Sequence, residues 1–127
     1  MNLKEPLADV VNRVPGAVGA ILVDNDGEAV VLYAASNQVH TNGYTPEERI
    51  KLIAAYHTIS LRDASQFSKQ FGFGQINHLV HRYEAGTVVT KPLDDGYALL
   101  LVLESESYVG KGLLYLNQAG AVISEDL

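Results

Sequence analysis

The stretch TPEERIKLIAAYHTISLRDASQFSKQF, residues 45–71, reads as one long helix with a marked start. Thr45 precedes Pro46 at the first helical position, and Glu48 follows three residues later. That is the spacing of a capping box, in which a hydroxyl and a carboxylate each satisfy a backbone N–H that the first turn would otherwise leave unpaired. At 100° per residue, Ile50, Ile53, Ala54, His57, Leu61, Ala64 and Phe71 fall on one stripe, expected to face a sheet. Leu52, Tyr56 and Ile59 form a second stripe beside it, and the two together span an arc of about 220°. A helix lying on one sheet needs an arc only somewhat wider than about 100°, so the second stripe predicts a further cover. A partner helix is the expected cover; the alternative is that the polar loop SNQVHTNGYT, residues 36–45, folds over it. Full burial of Leu52 and Ile59 would stabilise by roughly 1.5–3 kcal/mol each, a large amount to leave in water.

Working outward, Leu3, Leu7, Val10, Val11 and Val14 recur at helical spacing, with Asn2 as a cap and Pro15-Gly16 as the stop. Ala17 to Val23 (AVGAILV) is apolar at both parities, Asp24-Asn25-Asp26-Gly27 supplies a turn, and Ala29 to Ala35 completes a hairpin. After the long helix, Gln75 to Tyr83, Thr87 to Leu93 and Tyr97 to Leu103 read as three strands joined by Glu84-Ala85-Gly86 and Asp94-Asp95-Gly96. From Tyr108 the stripe Val109, Leu113, Leu116, Ile123 and Leu127 predicts a last helix. Gly110, Gly112 and Gly120 weaken it by up to about 1 kcal/mol each relative to Ala, unless they allow close approach to the sheet. The order α-β-β-α-β-β-β-α predicts an α+β fold, a five-stranded antiparallel sheet between helical layers, with residues 1–127 as a single domain. Strands one and five should be central. The third, carrying Asn77, His78, His81 and Arg82, is the natural edge, and pairing with a second copy is one way to cover it.

Composition narrows the function. The 127 residues are 47% hydrophobic, with 9 Lys and Arg against 15 Asp and Glu. The formal charge of -6 repels phosphate backbones, so no nucleic-acid partner is expected. Cysteine is absent, which excludes disulfides, thiolate zinc sites and cysteine nucleophiles. The longest apolar run, Tyr97 to Leu103, falls far short of the ~20 residues of a spanning helix, and MNLKEPLADV lacks the apolar run of a signal peptide. A soluble cytoplasmic protein without membrane insertion is the expectation.

Candidate chemistry is sparse. Asp24-Asn25-Asp26-Gly27 resembles the start of a calcium loop, but position 12 of such a loop holds Ala35 where a Glu is needed, so a hairpin turn is the reading. His78 and His81, three apart in a predicted strand, point to opposite faces and cannot share a metal. His57 reads as a core histidine with a hydrogen-bond partner. No GxxxxGK[ST] loop and no GxSxG elbow occurs, so the chain is expected to be no enzyme and to use no cofactor or metal. Glu104, Glu106, Glu125 and Asp126 form a solvated acidic rim or, alternatively, meet a basic partner.

Several segments together resemble the Roadblock family of dynein-associated light chains and small prokaryotic proteins. They are Val14-Pro15-Gly16 through Asp24, the Asp26-Gly27 turn, Lys91-Pro92-Leu93-Asp94-Asp95-Gly96 through Leu103, and Val109-Gly110 opening the last helix. The order of elements matches over nearly the whole chain. The resemblance implies a homodimer in which the long helices pack together and the third strands pair across a twofold axis. Leu52, Tyr56, Ile59, Ile76, His78 and Val80 would then line the interface. It also implies a regulator or scaffold in signalling, with a Ras-like small GTPase as partner. The gliding-motility member is GTPase-activating by reorganising its GTPase rather than by inserting an arginine, so no catalytic residue carries over. Partner contacts are expected from Glu48, Lys51 and Arg62 on the solvent arc. The chain departs from the family in the Ala and Ser content of the long helix after Leu61, in His57 and Arg49 within its apolar arc, and in the glycines of the last helix. The competing reading is a small-ligand sensory or signalling module of PAS-like architecture, since a five-stranded sheet with helices can enclose a pocket.

Overall fold

The computed structural model of the protein describes residues 2–104 and 108–127. Its elements are α1 (Lys4–Arg13), β1 (Ala17–Val23), β2 (Ala29–Ala34), α2 (Pro46–Gln70), β3 (Leu79–Tyr83), β4 (Gly86–Pro92), β5 (Ala98–Leu103) and α3 (Val109–Ser124). A short 3-10 turn, Asp94–Gly96, joins β4 to β5. All four strand pairs are antiparallel, in the spatial order β2-β1-β5-β4-β3. The two strands apolar at both parities, β1 and β5, lie side by side inside the sheet, and β3 is an edge, as the patterning required.

Alternation distributes each strand between two cores. Ala20, Leu22, Val89, Leu99, Leu101 and Leu103 meet Leu7, Val10 and Val11 of α1 and Leu116, Ala119 and Ile123 of α3. On the other face Ile21, Val23, Val88, Ala98 and Leu100 meet Ile50 and Ala54 of α2. One helical layer is thus a pair of helices and the other is α2 by itself.

Local chemistry explains the boundaries. The capping box at the start of α2 is complete: the Thr45 hydroxyl accepts from the Glu48 N–H at 3.1 Å, and the Glu48 carboxylate accepts from the Thr45 N–H at 2.9 Å. Asn2 Oδ1 accepts from the Lys4 N–H at 3.0 Å at the start of α1. In the β1–β2 turn Asp24 Oδ1 accepts from the N–H groups of Asp26 and Glu28 at 2.9 and 3.1 Å. A Cβ on Gly112 would lie 3.0 Å from Leu101 Cδ2 and one on Gly120 3.2 Å from Leu93 Cδ2, so both allow α3 to approach the sheet; Gly110 has nothing within 4 Å.

Three expectations are corrected. The third strand begins at Leu79 rather than Gln75. Its register sets Leu79 opposite Thr90, and β4 ends at Pro92, so residues 75 and 76 have no strand to pair with. Phe71 does not face the sheet but is exposed at the C-terminal cap of α2. Leu127 lies beyond α3, which ends at Ser124, and is exposed. Glu106 of the acidic rim lies outside the described residues.

Candidate interaction surface

The 25 residues of α2 make it about 37 Å long, whereas a seven-residue strand such as β1 covers about 23 Å. The helix therefore both docks on the sheet and overhangs it. Ile50, Ala54 and His57 are buried beneath it. On its outer side Leu52, Tyr56 and Ile59 are 51%, 66% and 56% exposed. The loop 36–45 does not fold over them; it makes its own turn, in which Thr41 and Tyr44 exchange N–H···O bonds of 3.0 Å. That removes the intramolecular alternative for covering the stripe.

Beyond the sheet, Phe67, Phe71 and Phe73 are each more than half exposed, and Phe67 meets both others, with ring centroids 4.8 Å apart for Phe67–Phe71 and 6.0 Å for Phe67–Phe73. Ser68 Oγ donates to Gly74 O, folding the chain after the helix back on its last turn. The sequence reading missed this aromatic pad because it followed the helical period without comparing helix and strand lengths.

A polar seam joins α2 to β3. His57 is 4% exposed. Its Nδ1 lies 2.7 Å from Ile53 O and its Nε2 2.8 Å from the Tyr83 hydroxyl. A carbonyl only accepts, so Nδ1 carries the proton and Nε2 accepts from Tyr83. Burial pushes the His57 imidazole below its usual range; the Ile53 carbonyl opposes this and His81 adds to it. The His81 ring stands edge-on to His57 at 4.9 Å, and its Nε2 lies 3.0 Å from Ser60 Oγ. His57 is the partnered histidine that the sequence suggested.

The proposed interface residues separate into groups. Leu52, Tyr56 and Ile59 form one exposed row. Val80 is opposite Val89, and His81 opposite Val88. Val89 belongs to the α1/α3 core and Val88 to the α2 core, so Val80 lies on the sheet face away from α2, while His81 and Tyr83 lie on the α2 face. Ile76 and His78 precede β3; His78 is exposed, and Ile76 lines a cleft of about 740 Å³ with Ser65, Lys69 and Leu93. Of the partner-contact candidates, Glu48 belongs to the capping box and Arg62 Nη2 donates to Asn25 O at 3.0 Å, tying α2 to the β1–β2 turn. Lys51 is exposed on the helix surface.

Among the described residues no group of three or more His, Asp or Glu could hold a metal ion. No helix among them is long and apolar enough to cross a membrane.

No family model and no curated protein sequence matches the chain. Solved structures do. A Roadblock/LC7 domain from Streptomyces avermitilis superposes with a TM-score of 0.80 at 14% identity, covering 97% of this chain and 95% of that one. MglC from Myxococcus xanthus gives 0.73 at 22% identity over 100% of both chains. The gliding protein MglB from Thermus thermophilus gives 0.80 at 18% identity over 95% of this chain and 84% of that one. The order of elements, the antiparallel five-stranded sheet and these superpositions agree, and the fold of this chain is the Roadblock/LC7 fold.

Proposed function

We propose that the chain is a non-enzymatic homodimer that regulates or scaffolds a Ras-like small GTPase, using α2 and the β3 edge as its dimer face. The observation that carries this reading is the exposed row Leu52, Tyr56 and Ile59 on an otherwise docked helix. About half of Leu52 and Ile59 remains to be covered, so roughly 0.8–1.7 kcal/mol is available for each once buried, and two copies double it. The open edge of β3 next to the same helix offers backbone groups for pairing across a twofold axis. The small-GTPase partner is what the Roadblock resemblance implies, and the structural likeness to the gliding protein MglB accords with that resemblance. The sequence carries no GxSxG elbow, cysteine or GxxxxGK[ST] loop, and the described residues hold no metal-binding cluster, to argue for chemistry by the chain itself. Stimulation of hydrolysis would come from positioning the GTPase's own groups, since phosphoryl transfer depends chiefly on orientation and electrostatic preorganisation.

Ile59→Asp tests the dimer. Light scattering is expected to give the mass of two chains for the parent and of one for the variant, with a lower melting temperature; equal masses and melting points refute the interface. The partner is tested by retention from native lysate with a GTP analogue or GDP present, followed by turnover measurements. A Ras-like GTPase held preferentially with the GTP analogue supports the regulator, and none held in either state overturns the partner assignment.

A further inference from the structure

His57 is a buried titratable group in a place where an aliphatic side chain would pack, and a regulator of GTPases has no evident use for it. Among the described residues, two side-chain hydrogen bonds join α2 to β3: His57 with Tyr83, and His81 with Ser60. β3 is an edge strand whose only neighbour in the sheet is β4, so these bonds help to set its position against the helix. We propose that they form a proton-sensitive latch, which holds β3 against α2 while His57 is neutral and loosens when His57 takes up a proton.

The geometry explains why. Neutral His57 donates through Nδ1 to Ile53 O and accepts through Nε2 from the Tyr83 hydroxyl. A proton on Nε2 abolishes that acceptor and places N–H against O–H, so the Tyr83 hydroxyl must turn around or move away. The new cation would be nearly inaccessible to water, and no carboxylate is hydrogen-bonded to either imidazole among the described residues. Facing His57 are Tyr56 from its own helix and His81 and Tyr83 from β3; Ser60 meets His81, and Arg49 and Glu104 line the adjoining cleft with His57. Among the described residues His81 Nδ1 is buried without a hydrogen-bond partner, and the second ring meets α2 through Nε2 and Ser60 Oγ. A buried charge in such surroundings is relieved by admitting water, and separating β3 from α2 admits it.

The sign follows from the depressed imidazole. The native state binds fewer protons than a free histidine, so the latch is at full strength above about pH 6.5 and weakens as pH falls below it toward the native value. Because Tyr56 and β3 also belong to the proposed dimer face, acidification is expected to weaken the dimer; that consequence rests on the dimer reading, and the latch itself does not.

Imidazole NMR and amide exchange test the latch in the intact chain. At pH 7.5 His57 is expected as the Nδ1–H form. Between pH 7.5 and 5.5 the protection factors of Leu79–Tyr83 should fall, by up to about tenfold because pH 5.5 lies about one unit below the free-histidine value, while those of Ala17–Val23 hold. His57→Gln should remove the pH dependence. An Nε2–H form at pH 7.5, or β3 protection equal at both pH values in the parent chain, overturns the latch; should the variant not fold, these parent-chain measurements decide. Light scattering at the same pH values separates the two ideas. A chain that is monomeric at both defeats the dimer reading, and β3 exchange alone then judges the latch.

Discussion

The two faces of the sheet are closed by unequal amounts of helix. α1 and α3 share one face, and each needs only a narrow stripe to fill the space between them: Leu7, Val10 and Val11 from one, Leu116, Ala119 and Ile123 from the other. α2 covers the opposite face by itself with Ile50 and Ala54, yet carries a second apolar row pointing away from it. Exposed apolar residues also occur on α3, but Leu114 and Val122 are more than two turns apart, whereas Leu52, Tyr56 and Ile59 fall within two. Scattered exposure is ordinary; a contiguous row marks a surface that something covers. The difference places a closed core on one face and, under the proposed dimer, the contact surface on the other.

The largest expected effect comes from the closed face. Leu116 is fully buried in the α1/α3 core, and Leu116→Ala should cost about 2–5 kcal/mol in denaturant unfolding, with no effect on oligomeric mass measured where the variant stays folded. A loss comparable to that of an exposed residue would break the assignment. Gly19→Ala probes how closely α2 is seated. The added Cβ would overlap Ile50 Cδ1 and lie 3.1 Å from Tyr33 O, and Ile50 is buried, so a loss of about 1–3 kcal/mol is expected. Ile50→Val in the same chain should recover part of it. An additive pair of losses would show that the clash is relieved elsewhere.

How much of this could be read in the sequence depends on how local its causes are. β1 and β5 were legible because being apolar at both parities leaves few other places for a strand. The capping box was legible because Thr45, Pro46 and Glu48 are contiguous. The start of β3 was not, since it depends on where β4 ends. The exposure of Phe71 was not, since it depends on the sheet stopping short of a helix of 25 residues. The row on α2 was visible as an arc too wide for one sheet, whereas the seam at His57 required knowing that β3 brings Tyr83 and His81 to it. Glu48 and Arg62 looked available for a partner because the sequence shows their charge and not the bonds already made to Thr45 and Asn25.

The smallest effect concerns how a helix that shares its face with no other is held at its start. α3 has no side-chain cap and α2 has a full box, so Thr45→Ala should cost about 1 kcal/mol and lower the melting temperature by a few degrees. The two halves of the box separate by pH. The Thr45 N–H, followed by its hydroxyl, holds the Glu48 carboxyl below its usual value. Its contribution is therefore present above the ordinary glutamate range, about pH 4.3, and is lost as pH falls through the native value. The deficit of Thr45→Ala should keep at acid pH the part that comes from the hydroxyl accepting the Glu48 N–H and lose only the smaller part the hydroxyl gives the carboxylate, whereas that of Glu48→Gln should shrink there as the parent carboxylate is protonated. If both deficits are independent of pH, the ionised carboxylate is not what holds the first turn, and the local support of α2 lies in the Thr45 hydroxyl alone.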